Sequence, residues 1–340
     1  MAECEYGTEL MNPAEASGSI GTATEKARPP MFESRLREGL SAEARLFRDE
    51  PMARRTTWRV GGPADWLVEP AQEADLAWVV RVCREERVPL LVLGRGSNLL
   101  VTDAGFRGVV VALAHPLWQR VEVVGDRIRS GAGARLKAVA CVARDAGLSG
   151  LEFLEGIPGS VGGALRMNAG AMGSCTFDVV ELVRFMTMDG QVEERPAREM
   201  GARYRGCDGL RERIALGAVF RGRPAAREEI QERMRQYSER RWATQPAAPS
   251  AGCVFKNPEG LAAGRLLDEL GCKGWREGGA RVSEEHANFI VTEPGATASD
   301  VLRLMARLRS HVQVERGVNL EPEVQIVGEG AEAWVCWKGD

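Results

Sequence analysis

Two glycine-rich turns carry the residues best suited to holding a ligand. The longer runs Gly156-Ile157-Pro158-Gly159-Ser160-Val161-Gly162-Gly163-Ala164-Leu165-Arg166-Met167-Asn168-Ala169-Gly170, with one basic side chain and no acidic one. Glycines at that density let backbone close on a ligand and reach conformations that a Cβ forbids. Main-chain N–H groups exposed in this way make a nest for phosphate or another anion. A plain linker would be rich in Ser and charge, whereas Ile, Val, Leu and Met punctuate this stretch. The shorter turn, Gly94-Arg95-Gly96-Ser97-Asn98, follows the apolar run Pro89-Leu90-Leu91-Val92-Leu93. That is the C-terminal end of a buried strand, where open α/β sheets place their ligands. Ser97 and Asn98 add hydroxyl and amide donors suited to phosphate. A dinucleotide-binding fingerprint is excluded, because its third glycine is missing and Leu99-Leu100-Val101 reads as strand, not helix.

The elements that must hold these turns follow from periodicity. Thr56 to Val68 reads as two short strands about Gly61-Gly62, and order is expected to begin near Phe47. Leu76, Val79, Val80 and Cys83 recur at helical spacing within Gln72 to Arg87. Strands are expected at Gly108 to Leu113, Val121 to Val124 and Arg127 to Ser130, then a helix over Arg135 to Ala146. Val179 to Met188 and Gln191 to Glu194 form a hairpin through Asp189-Gly190, and Ile214 to Phe220 adds a strand. The charged helix Arg223 to Arg241 has no strand-rich flank beyond it, which places a domain boundary near Arg221. Helix Ala263 to Leu270, strand Ala287 to Val291, helix Thr297 to Arg316 and strand Glu323 to Val327 complete a smaller α+β unit.

Composition narrows the class. The chain has 340 residues, 44% of them hydrophobic, and a net charge of −3, which gives no general attraction to nucleic acid or anionic membrane. Eight cysteines are scattered with no Cys-x-x-Cys pair, and three histidines (His115, His286, His311) lie far apart, so neither a zinc site nor a disulfide framework is expected. No apolar run approaches the ~20 residues that span a bilayer. No secretory leader is read, and residues 1–35 have the composition of a disordered tail. The expectation is a soluble protein of a reducing compartment, the cytoplasm.

With these blocks in view, the chain resembles the UDP-N-acetylenolpyruvoylglucosamine reductases (UDP-N-acetylmuramate dehydrogenases) of peptidoglycan synthesis, over roughly Phe47 to Gly328. Thr57-Trp58-Arg59-Val60-Gly61-Gly62, the two glycine turns and Ser250-Ala251-Gly252-Cys253-Val254-Phe255-Lys256-Asn257-Pro258 carry the likeness. Ser283 to Ile290 and Leu320 to Val324 extend it. The compact stretch between Tyr204 and Cys253 matches the short form of the family, without an inserted tyrosine-bearing loop.

The resemblance implies an α+β fold: an FAD-binding domain of the vanillyl-alcohol-oxidase type over 47–221, in lobes of about 47–113 and 114–221. A substrate domain over 222–330 and a tail over 331–340 would follow. It implies non-covalent FAD held by Gly94, Arg95, Gly96, Ser97, Asn98, Gly156, Ile157, Pro158, Gly159, Ser160, Gly162, Gly163, Asn168 and Gly170. NADPH would reduce the flavin, which would reduce the enolpyruvyl ether of a UDP-sugar. Arg205 would hold the substrate carboxylate and enolate, Glu323 would act as an acid or proton relay, and Cys253 would protonate carbon where many relatives have Ser. Tyr204, Lys256 and Asn257 would contact the substrate, with Arg240 and Arg241 weaker candidates. Met172 stands where relatives often carry Tyr. An oxidase of another small substrate on the same fold, and a flavin-binding protein without turnover, are the competing readings.

Overall fold

The structure, a computed structural model, describes residues 30–335. Apolar runs of the N-terminal third build its first sheet. β1 (Arg45–Pro51), β2 (Pro63–Glu69), β3 (Leu90–Leu93), β4 (Leu99–Val101) and β5 (Phe106–Ala112) follow in order. The sheet order is β1-β2-β5-β3; β1 is antiparallel to β2, and β5 lies parallel between β2 and β3. Leu76, Val79 and Val80 of helix α2 (Glu73–Glu85) share one buried cluster with Val109 and Val111. α2 starts where Asp75, fully buried, accepts from Ala71 N, Gln72 N, Ser41 N and Ser41 Oγ. Burial pushes that carboxyl up, but these bonds outweigh it and hold it below the ordinary Asp value.

The second lobe is an antiparallel sheet. Its order is Val192–Pro196, Val180–Thr187, Arg213–Arg221, β7 (Arg127–Gly131) and β6 (Val121–Val124). The Asp189-Gly190 turn closes the first hairpin, with Gly190 at φ +80°. Helix α3 (Leu136–Asp145) packs Leu136, Val139, Ala140 and Ala143 against that sheet. In the C-terminal unit, the helix α7 (Ala298–Arg316) buries Val301, Leu304, Met305, Leu308 and Val312 over the strands Ala280–Val282 and Ile290–Thr292.

Four readings change. Helix α1 (Pro30–Glu38) buries Phe32 and Leu36, so order begins before Phe47 and residues 30–35 are helical rather than tail; residues 1–29 of the expected tail lie outside the described residues. At the other end Glu332–Val335 form a helical turn with Trp334 against the C-terminal core; 336–340 of the expected tail lie outside the described residues. Thr56 to Val60 is a loop, not a strand, because its backbone follows the other partners described below. Helix α5 (Arg227–Thr244) sends Ile230 and Met234 into the core of the second lobe, and we propose the domain boundary after this helix rather than at Arg221.

The units are tied by long-range contacts. Trp58, fully buried, sits in the C-terminal core; its Nε1 donates to Ile290 O at 2.7 Å, and Thr292 Oγ1 donates to its carbonyl at 2.6 Å. Asp103 accepts from Ala298 N and Ser299 N at the start of α7, at 2.7 and 2.8 Å. The strand Gln325–Val327 pairs parallel with β4. Trp58→Ala empties a shared core and is expected to cost about 3–5 kcal/mol. Urea unfolding followed by circular dichroism checks this; a loss below about 1 kcal/mol would show that Trp58 does not join the units.

Candidate active site

The two glycine turns meet. A Cβ on Gly94 would stand 2.7 Å from Ser160 Oγ, and one on Gly96, at φ +61°, would stand 2.2 Å from Arg55 O. Glycine is required at both places by closeness alone. Thr57 N donates to Gly96 O at 3.1 Å, so the Thr57 to Gly62 loop is the outer wall of the short turn.

The long turn is not the open loop its glycines imply. Residues Val161–Met167 form helix α4, capped by Ser160, whose Oγ accepts from Gly163 N at 3.4 Å. Val161 N and Gly162 N donate inward to Ala134 O and Ala132 O. Its main-chain donors are thus largely spent on the protein. The donors left for an anion belong to the short turn, since Arg95 and Ser97 make no hydrogen bond to any described residue. Arg95 and Arg135 lie close enough to repel. Burial, then Arg135, pushes the Arg95 guanidinium down, and neither has an acidic partner among the described residues. Two like charges beside a Cβ-free turn, with open space before Gly156, fit a diphosphate.

Asn98 and Asn168, expected to face the cofactor, are committed elsewhere. Asn98 Nδ2 donates to Glu323 O at 3.3 Å, and Asn98 O accepts from Gln325 N at 3.1 Å. Asn168 ends α4 at φ +41°, accepts from Phe177 N and donates through Nδ2 to Arg203 O at 3.3 Å. Each turn thereby holds one segment that bears an expected catalytic residue.

Those residues do come together. Arg205 Nε and Glu323 Oε1 stand 2.7 Å apart, and the Arg205 guanidinium lies 5.1 Å from the Tyr204 ring. The N–H is out of line with the carboxylate, so the contact is ionic and Arg205 Nε stays a buried donor without an aligned acceptor among the described residues. Glu323, 11% exposed in its side chain, is pushed up by burial more than Arg205 holds it down. Arg205 keeps its charge: burial opposes it, but Glu323 more than compensates.

Cys253 is set between two segments. Val254 N donates to Asn288 O at 2.9 Å on one side, and Glu323 N donates to Val254 O at 2.8 Å on the other. Burial, then the Glu323 charge, pushes the thiol up to about 12, with Arg205 opposing. A proton-carrying thiol, a carboxyl lifted by burial and a cation thus lie within electrostatic reach of one another. Lys256 is paired with Glu321 at 3.0 Å on the surface, and Asn257 Oδ1 accepts from Ala263 N at 3.1 Å. Arg240 and Arg241 lie at the end of α5, where Arg241 stacks on Trp242. Sequence reasoning missed Arg135 and gave Asn288 no role; a buried amide inside an apolar strand block was the available signal.

A family model described as an FAD binding domain matches residues 64–195, and one described as the C-terminal domain of UDP-N-acetylenolpyruvoylglucosamine reductase matches residues 245–327. The UDP-N-acetylenolpyruvoylglucosamine reductase of Geobacter metallireducens is 47% identical over 298 residues, covering 87% of this chain and 98% of that one. The chain belongs to the UDP-N-acetylenolpyruvoylglucosamine reductase family. A second such reductase, from Symbiobacterium thermophilum, is 47% identical over 88% of this chain and 97% of its own. The crystal structure of the Thermus caldophilus reductase is similar at a TM-score of 0.72 and 39% identity, covering 84% of this chain and 98% of that one. In this reductase the first match spans both glycine turns, and the second spans Cys253 and Glu323. No helix among the described residues is long and apolar enough to cross a membrane.

A thiol at about 12 is almost wholly protonated at neutral pH. Alkylation of Cys253 at pH 8 is expected to run on the order of 10³-fold slower than that of a free cysteine, because only thiolate reacts. The rate should climb about tenfold per pH unit up to pH 10. Peptide mass spectrometry after timed iodoacetamide exposure reads it; a plateau below pH 9 would contradict the burial argument.

Proposed function

We propose that Arg205, Cys253 and Glu323 carry the reduction of the enolpyruvyl ether of UDP-N-acetylglucosamine to UDP-N-acetylmuramate. The reductase uses FAD and NADPH, and its product serves peptidoglycan synthesis. The observation that supports the assignment is the closeness of three half-buried groups: the Arg205 cation in contact with the Glu323 carboxyl, and the Cys253 thiol within electrostatic reach of both. Gly94 to Ser97, Arg95 and Arg135, with Gly156 and Ser160 opposite, would hold the diphosphate of FAD. When bound, FAD supplies the hydride, taken from NADPH and delivered to the substrate double bond.

The protein's residues do the rest. The enolpyruvyl double bond is conjugated with a carboxylate, so hydride adds at the terminal carbon and the electron pair moves onto the carboxylate as an enolate. The Arg205 Nε–H, buried and without an aligned acceptor, is placed to bind that oxygen, and its charge is worth most where water is excluded. Glu323, whose carboxyl burial pushes up, would take up or relay a proton beside the enolate and so limit the negative charge gathered there. Cys253 then gives its proton to the carbon bearing the ether oxygen; one hydride and one proton complete the reduction. Tyr204, stacked on Arg205 and exposed, and Lys256 flank the opening as substrate contacts.

The decisive measurement is anaerobic. NADPH should bleach the flavin, and colour should return only with the enolpyruvyl UDP-sugar; return with oxygen alone would favour an oxidase. Cys253→Ser should keep turnover within about tenfold, whereas Cys253→Ala should lose about 10²–10⁴-fold, the usual worth of a placed acid. An Ala variant with near-normal turnover would remove Cys253 from the mechanism.

A further inference from the structure

Arg205 stands at the tip of a hairpin that pairs Ala202 with Cys207 and Arg203 with Gly206. Behind the tip, Cys207 and Leu210 are buried in the core of the second lobe. The strand before it, 201–204, is exposed throughout, and so short a hairpin is barely stable in water by itself. Among the described residues, one hydrogen bond reaches that strand from outside the hairpin: Asn168 Nδ2 donates to Arg203 O at 3.3 Å. Asn168 Oδ1 accepts from Phe177 N at 3.1 Å, which settles which end of the amide is nitrogen. Two residues earlier, Arg166 donates to Leu210 O at the base of the hairpin. Both side chains lie at the C-terminal end of α4, a helix of seven residues and about 10 Å. Its other end is capped by Ser160, whose Oγ is 2.7 Å from where a Cβ on Gly94 would stand. One short, stiff element thus runs from the meeting of the two glycine turns to the hairpin.

We propose that Asn168 is a positioning residue for Arg205, holding the hairpin so that the guanidinium stays against Glu323. Arg205 sits at φ +54°, a conformation that persists only where the surroundings enforce it. The bond to Arg203 O is two residues from that strained position, and the Arg205 Nε to Glu323 Oε1 separation of 2.7 Å leaves little room for drift. The inference rests on Arg205 taking up the negative charge of the substrate.

Asn168→Gly in the full-length, FAD-loaded protein is the test, because glycine takes the φ +41° of that position freely and only the amide is lost. The substrate-dependent return of flavin colour should slow by about 10- to 100-fold, as a small misplacement of a reacting group does. The KM for the enolpyruvyl UDP-sugar should rise, while the KM for NADPH, the bleaching rate and the retention of FAD stay within about twofold of the parent. In an Arg205→Ala background the same change should cost less than about twofold, since the group it places is already gone. Equal slowing in both backgrounds would reduce Asn168 to a structural clamp, and slowed bleaching with loss of FAD would make it a cofactor contact; either overturns the proposal. Near-normal turnover of Arg205→Ala alone would instead sink the assignment of Arg205. If Asn168→Gly fails to fold, Asn168→Asp keeps the acceptor for Phe177 N–H and removes only the donor to Arg203 O. It should show the same selective loss, and parent-like kinetics with the sugar in that variant would overturn the proposal.

Discussion

The pairing of β4 with Gln325–Val327 is the constraint on which the rest of the site depends. The short glycine turn runs directly into β4, and Glu323 lies two residues before its partner strand. The short glycine turn and the Glu323 carboxyl are therefore set in register by one parallel ladder. Asn98 extends that ladder, its carbonyl accepting from Gln325 N and its side-chain amide donating to Glu323 O. From Glu323 the frame passes by main-chain bonds to Val254 and then to Asn288. The carboxyl, the thiol segment and the amide thus share a continuous hydrogen-bonded backbone, which fixes separations far better than loops packed side by side.

Within that frame the electrostatics are those of one cation serving two acids. Burial favours the neutral forms of both Glu323 and Cys253, and Arg205 opposes it at each. At Glu323 the more distant Lys256 adds to Arg205, and burial still outweighs both. Without any cation, the enolate would form in a low-dielectric space with nothing to hold it. The balance holds both acids above their ordinary values and keeps the guanidinium charged. A thiol suits such a site, because burial holds this comparatively acidic group protonated.

The chemistry-bearing blocks were legible in the sequence, and so were most helices and strands, because their periodicities are strong and local. What failed has a common cause. Thr56 to Val60 alternates like a strand, yet Trp58 is buried in the core of another unit, a partnership no local pattern announces. Helix α5 reads as a detached charged helix, since Ile230 and Met234 are its two fully buried residues and they suffice to bind it to the second lobe. Phe32 and Leu36 are too few to mark a helix against a polar background. The long glycine turn was found but its physics was inverted: a Ser-capped helix start was hidden by the glycines, and its N–H groups turn inward. The bonds that Asn98 and Asn168 make to Glu323 O and Arg203 O were not legible either, since those carbonyls are distant in sequence.

Arg205 shows how this frame is used. It stands at φ +54°, a region that costs a residue with a Cβ roughly 1–2 kcal/mol. Nothing in its own dipeptide repays this. Its loop is held from outside, by Asn168 at Arg203 O and by the pairing of Ala202–Arg203 with Gly206–Cys207 across the turn. Relaxed to an ordinary conformation, the loop would swing the guanidinium away from Glu323. The strain is therefore a consequence of placing a cation where the backbone would not take it unaided. The residue that enforces it, Asn168, ends the helix started by Ser160 in the cofactor cradle. Each glycine turn is thus both a wall for a ligand and an anchor for one charged partner of the Arg205–Glu323 pair, which is why the two turns must meet for the site to exist.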